Sequence, residues 1–374
     1  METLFWISTI FIVYTYVGYP VLIWGLARLF PAQEKAVDIP ESWPLVSIVI
    51  PVYNESANLD HKLDNLRQLN YPSDRLQIIF VSDGSTDDTV DILRSQTDIH
   101  TIAYPERQGK PTALNHAMEE ARGEIVVFTD ARQTLDPGAV RNLVLRLLRP
   151  GIGAVSGELC HLDADGHVSA NVGLYWRYEK WIRKAESRFH STAGVTGALY
   201  AIYRKDYQPL LNDTLLDDFQ TPINILREGK RVVFESTARV FDTLQQSSAG
   251  ERARKIRTLA GNFQAFVRNK WLFVPVKNPI LWQFLSHKVF RLLVPYAMVV
   301  ALLSSFLADG WFYGLAAGLQ GVFYLLGGLA LLVPAMSKNR ILSFVLVFLE
   351  LNAAAVIGLL QFLTGRTRVK WQKT

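Results

Sequence analysis

The sequence predicts an α/β domain, with a parallel sheet and crossover helices, carried between helices that cross a membrane. Three observations support this fold class. Apolar residues are concentrated at the two ends of the chain, short β-branched runs alternate with helical stretches in the middle, and polar turns follow three of those runs. The first pattern is typical of transmembrane helices, and the alternation is typical of a parallel, Rossmann-like sheet.

Composition limits the class of protein. The chain has 374 residues, which is long enough for one large domain and a membrane part. Its single cysteine, Cys160, excludes an internal disulfide framework and fits a reducing compartment. The formal net charge is +5, but basic residues lie beside the apolar segments. That placement suits an anionic cytosolic leaflet, so we expect contact with membrane lipids and no nucleic acid partner.

Residues 1–31 are predicted to form an N-terminal transmembrane helix. The stretch 3–30 is apolar almost throughout, has no basic start and shows no clear small-residue cleavage site, which argues against a signal peptide. Pro20 is predicted to bend this helix, as bilayer helices tolerate. The helix is preceded by no basic residue and followed by Arg28, so the middle domain is expected in the cytosol.

The C-terminal region 289–364 is predicted to contain further transmembrane helices. Its apolar stretches lie at 289–309, 311–335 and 341–363. The preceding segment 269–288 mixes Trp, Phe and Lys, as an interfacial helix does. A basic tail, 365–374, follows them.

The last apolar stretch raises a question of topology. Three full C-terminal spans would place the basic tail outside the cell, against the positive-inside rule. The stretch 341–363 also carries Glu350 and Asn352, and a carboxylate at such a depth usually has a partner or faces a polar cavity. We therefore expect this stretch to be re-entrant or partly buried in protein.

Residues 45–268 are predicted to form the cytosolic domain. VSIVIPVYNE begins with a continuous apolar run, as a strand buried on both faces would, and LQIIFVSDGSTDDT and EIVVFTDARQ repeat the pattern. In parallel sheets, ligands bind beyond the carboxyl ends of the strands. The polar turns at those ends are Asn54-Glu55, Asp83-Gly84-Ser85 and Asp130-Ala131-Arg132. Such residues also form ordinary turns, but three turns on successive strand ends favour a ligand site.

Longer motifs carry a resemblance. VSIVIPVYNE, VSDGSTDDT, GKPTALNHAME, IVVFTDA, TGALYAIYRKD and LLDDFQTPINILREGKRVVFE occur in this order within residues 46–261. In these motifs the sequence resembles the family 2 glycosyltransferases, whose fold is of the GT-A type. The flanking apolar segments resemble those of bacterial members that make hyaluronan, poly-N-acetylglucosamine and cellulose-like polymers. The resemblance implies a nucleotide-sugar domain that transfers a sugar with inversion.

The resemblance also implies a donor site. The residues that match the family's donor-binding positions are Pro51, Tyr53 and Glu55 in the first nucleotide loop, Asp83 as the uracil or ribose contact, Lys110 near the pyrophosphate, and Asp130 as the first acid of the D-x-D motif.

Asp217 and Asp218 match the family's acidic pair, in which the second acid is the general base. An inverting transfer needs one carboxylate to take the proton of the attacking hydroxyl. Asp217 would then orient or tune its neighbour. The pair also suits the first turn of a helix, and the two interpretations are compatible. Gly197 and Ala198 match the small residues under the acceptor.

The D-x-D motif departs from the family pattern because Arg132 replaces the second acid. That acid normally helps bind Mg²⁺ or Mn²⁺, and a guanidinium cannot ligate a metal. Two alternatives follow. Either Asp130 and the phosphates alone hold the metal, or Arg132 itself stabilises the leaving diphosphate.

The Q-x-x-R-W motif of polymer-making members departs as well. Arg254 replaces its Gln, Arg257 is retained for pyrophosphate contact, and Thr258 replaces the Trp that stacks on the acceptor sugar. Threonine cannot stack, which weakens the case for processive synthesis. Trp176 and Tyr178 are the candidate replacements as an acceptor-binding aromatic, and Trp176 is the one that we assign.

The leading hypothesis is a multi-pass enzyme of the bacterial plasma membrane. It would transfer a sugar from a UDP donor to a lipid-linked or polysaccharide acceptor in surface glycan synthesis. The first alternative is a processive synthase that secretes its product; four apolar segments are few for a channel, so it predicts a homo-oligomer or a secretion partner. A second alternative, a non-catalytic membrane scaffold, conflicts with the retention of the acidic residues.

Overall fold

A computed structural model describes residues 1–35, 37–162, 174–243, 248–333, 336 and 339–367. Most of the predicted basic tail lies outside these residues. The described chain contains eight strands: β1 Val46–Val52, β2 Leu76–Asp83, β3 His100–Tyr104, β4 Ile125–Thr129, β5 Thr134–Leu135, β6 Ile152–Leu162, β7 Leu199–Tyr203 and β8 Arg231–Thr243. They form one sheet in the order β3-β2-β1-β4-β7-β6-β8-β5.

Helices surround this sheet and extend from it. The first six are α1 Glu2–Val13, α2 Tyr19–Leu29, α3 Ser56–Arg67, α4 Thr89–Arg94, α5 Lys110–Glu120 and α6 Ala139–Leu147. The next four are α7 Leu174–Phe189, α8 Asp217–Arg227, α9 Ser248–Arg268 and α10 Leu281–Phe284. The last three are α11 Phe290–Leu307, α12 Trp311–Leu332 and α13 Arg340–Leu363. Two π-helical turns, Tyr14–Gly18 and Leu285–Val289, connect α1 to α2 and α10 to α11.

The predicted parallel sheet forms one half of the observed eight-stranded sheet. β1 pairs in parallel with β2 and β4, and β2 pairs in parallel with β3. Along β1, Val49 packs in one apolar layer while Ile48 and Ile50 pack in the opposite layer. Because alternate side chains of a strand point to opposite faces, the continuous apolar run covers both faces of the sheet. The carboxyl ends of β1, β2 and β4, with their polar turns, therefore meet at one edge.

The other half of the sheet is mixed. β7 is antiparallel to both β4 and β6, whereas β6 and β8 are parallel. The strand β7 follows the small-residue segment that contains Gly197 and Ala198, and it runs beside β4. This pairing brings Gly197 and Ala198 next to the end of β4, which Asp130 follows. The predicted α/β fold class with apolar helices is thereby confirmed.

Four helical segments are long and apolar enough to cross a membrane: Glu2–Leu29, Leu281–Leu307, Trp311–Leu332 and Ile341–Leu363. They match the four predicted apolar stretches, with one difference. The helical run that contains α11 begins at Leu281, eight residues before the predicted start at 289. The interfacial placement of 269–288 stays a prediction.

The last of these segments also packs against α9, the helix that follows the sheet. Glu350 of α13 lies 3.5 Å from Arg252 and 3.4 Å from Lys255, both on α9, so the carboxylate that the sequence singled out has cationic partners. Gly358 of α13 faces the backbone of α9, where an added Cβ would lie 2.9 Å from the amide nitrogen of Ala260. The two helices are therefore in direct backbone contact along part of their length.

We predict that Gly358→Leu destabilises the protein by roughly 1–3 kcal/mol, because the new side chain meets backbone that cannot move aside cheaply. Thermal unfolding in detergent measures the change. Gly318→Leu, on α12, is the matched control, since nothing lies within 4 Å of the Cβ added there. Equal unfolding midpoints for the two variants would contradict the packing described for α9 and α13.

Candidate active site

The loops after β1 and β2 hold each other in place. Asn54 adopts a left-handed backbone conformation with φ 53°, and its side-chain oxygen accepts a hydrogen bond of 2.8 Å from the amide of Thr86. The Asn54 amide in turn donates to the Ser85 hydroxyl at 3.1 Å. Asparagine is among the few residues that tolerate this conformation. The first two predicted turns therefore form one connected wall of the site.

Asp83 lies at the base of this wall and is fully buried. Its carboxylate accepts hydrogen bonds from the amides of Gln108, at 2.6 Å, and Gly109, at 3.0 Å. Gly84, with φ +68°, permits the close approach, because a Cβ there would lie 2.7 Å from the Arg107 amide nitrogen. Asp83 thus fixes the turn that begins α5.

An aromatic and a cation cover the same turn. The Arg107 guanidinium lies over the Tyr53 ring, 3.7 Å from its centre, and 3.8 Å from the Asp83 carboxylate. A guanidinium stacked on an aromatic ring has a well-defined orientation. Tyr53 was predicted from the sequence, whereas Arg107 was not.

Lys110 joins the two acidic motifs. It is the first residue of α5, and its ammonium group lies 3.0 Å from Asp130 and 3.5 Å from Asp217. Burial lowers the pKa of Lys110, but the two carboxylates outweigh burial and the net direction is upward. The amine therefore remains protonated, and the predicted residues from three separate motifs converge on it.

Asp218 begins α8 beside Asp217 and is half-buried. Burial, and then the adjacent Asp217 carboxylate, raise the pKa of Asp218 to about 6. The cations that act in the opposite direction are Lys110, Lys288 and Arg183. A carboxylate with this pKa is largely ionised at neutral pH and more basic than an exposed aspartate, as a general base requires.

The predicted small-residue segment lies directly against this carboxylate. A Cβ added at Gly197 would lie 3.1 Å from Oδ2 of Asp218. The amide of Val195 donates to the Asp218 carbonyl oxygen at 3.1 Å, and the Ala198 carbonyl accepts from the Thr129 hydroxyl at 2.8 Å. The segment is therefore tied to α8 on one side and to the end of β4 on the other.

The incomplete D-x-D loop is held by residues that the sequence did not single out. Arg132 donates to Asp242 of β8 at 2.7 Å, so its guanidinium has a carboxylate partner within the chain. Lys62, fully buried on α3, donates to the Gln133 carbonyl at 2.8 Å. Burial lowers the pKa of Lys62 to about 7, although Asp130 acts in the opposite direction. The diphosphate role predicted for Arg132 stays a prediction.

Several predicted residues lie outside this cluster. Trp176 on α7 packs its ring edge-on to His161, with centroids 5.0 Å apart. Arg254 is exposed on α9, and Arg257 on the same helix is half-buried. Among the described residues, neither arginine forms an ion pair with Asp217 or Asp218. Pro51 is buried within β1, and Glu55 accepts a hydrogen bond of 2.5 Å from Asn58. Their assigned roles stay predictions.

Among the site residues that the sequence analysis did not predict, Lys62 is marked by a local pattern in the sequence. Lys62 lies at helical spacing with the buried Leu59, Leu63 and Leu66, so it interrupts the apolar stripe of α3. Asp242 and Arg183 belong to distant segments, β8 and α7, and reach the site only through tertiary contacts.

The comparison with protein families agrees with this geometry. Residues 47–210 match the family model described as glycosyl transferase family 2. This match agrees with the class of fold described above, and it covers the segment in which the sequence motifs predicted a glycosyl transferase family 2 domain.

Individual relatives extend the comparison. A probable glycosyltransferase, YdaM, of Bacillus subtilis is 32% identical over 250 residues, which cover 62% of this chain and 60% of that protein. An N-acetylglucosaminyltransferase of Rhizobium is 31% identical over 199 residues, 51% of this chain and 43% of that protein. A poly-beta-1,6-N-acetyl-D-glucosamine synthase of Staphylococcus aureus is 19% identical, with 69% of this chain and 64% of that protein covered. The chain thus spans less than two thirds of each of these relatives.

A solved structure resembles the whole described architecture. The mannosyltransferase PcManGT of Pyrobaculum calidifontis, solved in complex with GDP-Man and Mn²⁺, has a TM-score of 0.74 and 24% identity. The match covers 97% of this chain and 99% of that one. The likeness includes the helices outside the sheet, and it confirms the GT-A type fold predicted from the motifs.

We predict that the rate of sugar transfer falls tenfold per pH unit below an apparent pKa near 6, because Asp218 must be ionised to accept a proton. Lys110→Met removes a cation that lowers this pKa, so the midpoint should move to higher pH, by about one pH unit. The pH profile of kcat/KM measures both. Lys184→Met, an exposed lysine on α7, is the control. A midpoint unchanged by Lys110→Met would contradict the coupling.

Proposed function

We propose that this protein is a membrane-bound inverting glycosyltransferase of the bacterial plasma membrane, with its catalytic domain in the cytosol. It would transfer a sugar from a nucleoside diphosphate donor, UDP in our proposal, to a lipid-linked or polysaccharide acceptor. The observation that carries the proposal is the cluster of Asp217, Asp218, Lys110 and Asp130, which joins an acid-base pair to a cation at the strand ends.

The chemistry follows from the positions of these groups. The acceptor oxygen attacks the anomeric carbon, its proton passes to Asp218, and the bond from that carbon to the diphosphate breaks. Lys110, which remains protonated, offers a positive charge on the donor side of the site. Gly197 lies against the base, and the absence of a side chain there leaves room for the acceptor.

Asp130 is the residue that would hold a divalent ion. Among the described residues, no group of three or more His, Cys, Asp and Glu side chains is placed to share a metal. A single carboxylate nevertheless fits Mg²⁺, which often takes its other ligands from substrate phosphates and water. Such an ion would neutralise charge on the leaving diphosphate. We therefore propose that Mg²⁺ or Mn²⁺ enters with the donor.

We predict that Asp218→Asn leaves UDP binding within about threefold of wild type and lowers transfer by at least 10²-fold, because the amide cannot accept the proton. Nucleotide release by the full chain in lipid nanodiscs, across a panel of UDP-sugars, measures transfer and identifies the donor.

The matched control for this substitution is Asp213→Asn, an exposed aspartate in the preceding loop that pairs with Arg268. Its release rate should equal that of wild type. Normal turnover by Asp218→Asn would overturn the base assignment, and no release from any UDP-sugar by the wild-type protein would overturn the proposed donor class.

The response to a chelator tests the metal proposal. We predict that EDTA weakens UDP binding by less than about tenfold, because Lys110 and backbone amides remain and each charge-assisted contact contributes separately. Asp130→Asn should remove most of the remaining response to EDTA. Isothermal titration measures both. Complete loss of UDP binding in EDTA would mean that the metal, and not the cations of the chain, dominates diphosphate binding.

Processive synthesis is the second candidate, favoured by the similarity to a poly-beta-1,6-N-acetyl-D-glucosamine synthase. Thr258, where polymer-making members have Trp, is exposed on α9 and offers no stacking surface. Product length distinguishes the two functions: a single added sugar fits the leading proposal, and a ladder of long products fits a synthase.

A further inference from the structure

Two cations, Lys288 and Arg183, lie near the proposed base, Asp218. The Lys288 ammonium lies 5.8 Å from the ring centre of Phe219, the residue that follows Asp218. Arg183 of α7 donates to the Thr196 hydroxyl at 2.8 Å, and Thr196 precedes Gly197, which touches the Asp218 carboxylate. Both cations therefore lie close enough to Asp218 to lower its pKa, as Lys110 does.

The backbone that carries Lys288 is fixed in place. His287 is buried and lies 2.7 Å from Glu186 and 3.1 Å from Glu179, both on α7. Tyr19 donates to Glu186 at 2.5 Å. The turn Leu285–Val289 is π-helical, a form that is frequent at functional sites. On this turn the Lys288 ammonium lies beside Phe219 of α8.

Neighbouring cations are paired, but these two are not. Lys180 lies 2.8 Å from Glu158, and Arg291 pairs with Glu179. Within the described part of the chain, neither Arg183 nor Lys288 forms an ion pair with a carboxylate, although both are half-buried. A partly desolvated cation without an ion-pair partner is unfavourable by itself, and an anionic ligand would offset that cost.

We infer that Arg183 and Lys288 form a subsite for a phosphate or diphosphate group of a lipid-linked acceptor. Lys288 lies near the start of Leu281–Leu307, one of the four candidate membrane spans, so a lipid could place its phosphate there and its tail among the apolar helices. The hydroxyl of the acceptor then faces Asp218, attacks the anomeric carbon and loses its proton to Asp218 as the nucleoside diphosphate leaves. This inference rests on the proposed function and selects one acceptor class.

The test uses the full chain in phosphatidylcholine nanodiscs with saturating UDP, so that the donor site is filled. Three probes separate the sources of binding: farnesyl diphosphate, farnesol as the neutral lipid, and inorganic diphosphate as the free anion. We expect farnesyl diphosphate to bind at least tenfold more tightly than either of the others. Equal affinity for farnesol, or for inorganic diphosphate, would overturn a lipid-phosphate subsite.

Variants locate the binding. Lys288→Met and Arg183→Gln should each weaken farnesyl diphosphate binding by about tenfold, the effect of removing one charge-assisted contact. Lys184→Met, one residue away on the exposed face of α7, should bind as wild type does. Unfolding midpoints and UDP affinity report whether each variant is folded.

The two proposals fail in different ways. The proposed glycosyl transfer would be overturned if the wild-type protein did not bind UDP, or if Asp218→Asn turned over normally. Intact UDP binding and nucleotide release, with farnesyl diphosphate affinity unchanged in both Lys288→Met and Arg183→Gln, would overturn the acceptor subsite alone.

Discussion

The ion-pair contacts of Lys110 hold the active site together. Its ammonium group contacts Asp130, at the end of a parallel strand, and Asp217, at the start of a helix nearly ninety positions further along the chain. Two carboxylate motifs this close would repel each other without a cation between them. Asp83 supports the arrangement from below, because it binds the amides that precede Lys110 and so fixes where α5 begins.

The apolar helix α13 is connected to the candidate site through α9. A Cβ added at Gly261 of α9 would lie 2.6 Å from the Leu216 side chain, next to the acidic pair. The same helix contacts α13 through Glu350 and Gly358. Tight packing transmits displacement between such elements. The position of the acidic pair is therefore set partly by α9 and by α13, which qualifies as a membrane span.

Charge at the D-x-D loop is arranged differently from the family pattern. The carboxylate that faces Arg132 comes from Asp242 on β8, and Lys62 holds the loop from beneath. Replacing an acid by arginine needs a counter-charge nearby, and Asp242 supplies one from a strand at the far side of the sheet. Because Arg132 pairs with Asp242, Asp130 is the acidic residue of this loop that contacts Lys110.

The sequence by itself determined the class of fold, the alternation of β1, β2 and β4 with helices, and the motifs that carry Asp83, Lys110, Asp130 and the acidic pair. These depend on apolar periodicity and on strand-end turns, which are local properties. The sequence did not reveal the mixed half of the sheet, because β7 pairs with β4 across seventy residues.

Only the tertiary structure decided which charges meet. Arg107 stacks on Tyr53, Asp242 pairs with Arg132, and Lys288 lies beside Phe219, next to Asp218. Each of these contacts joins segments that are far apart in the chain. The sequence around a lysine does not show which residues surround that lysine in the fold. The free energy of its charge depends on those residues and on burial. Residue types could therefore be predicted, whereas their pKa values and partners required the fold.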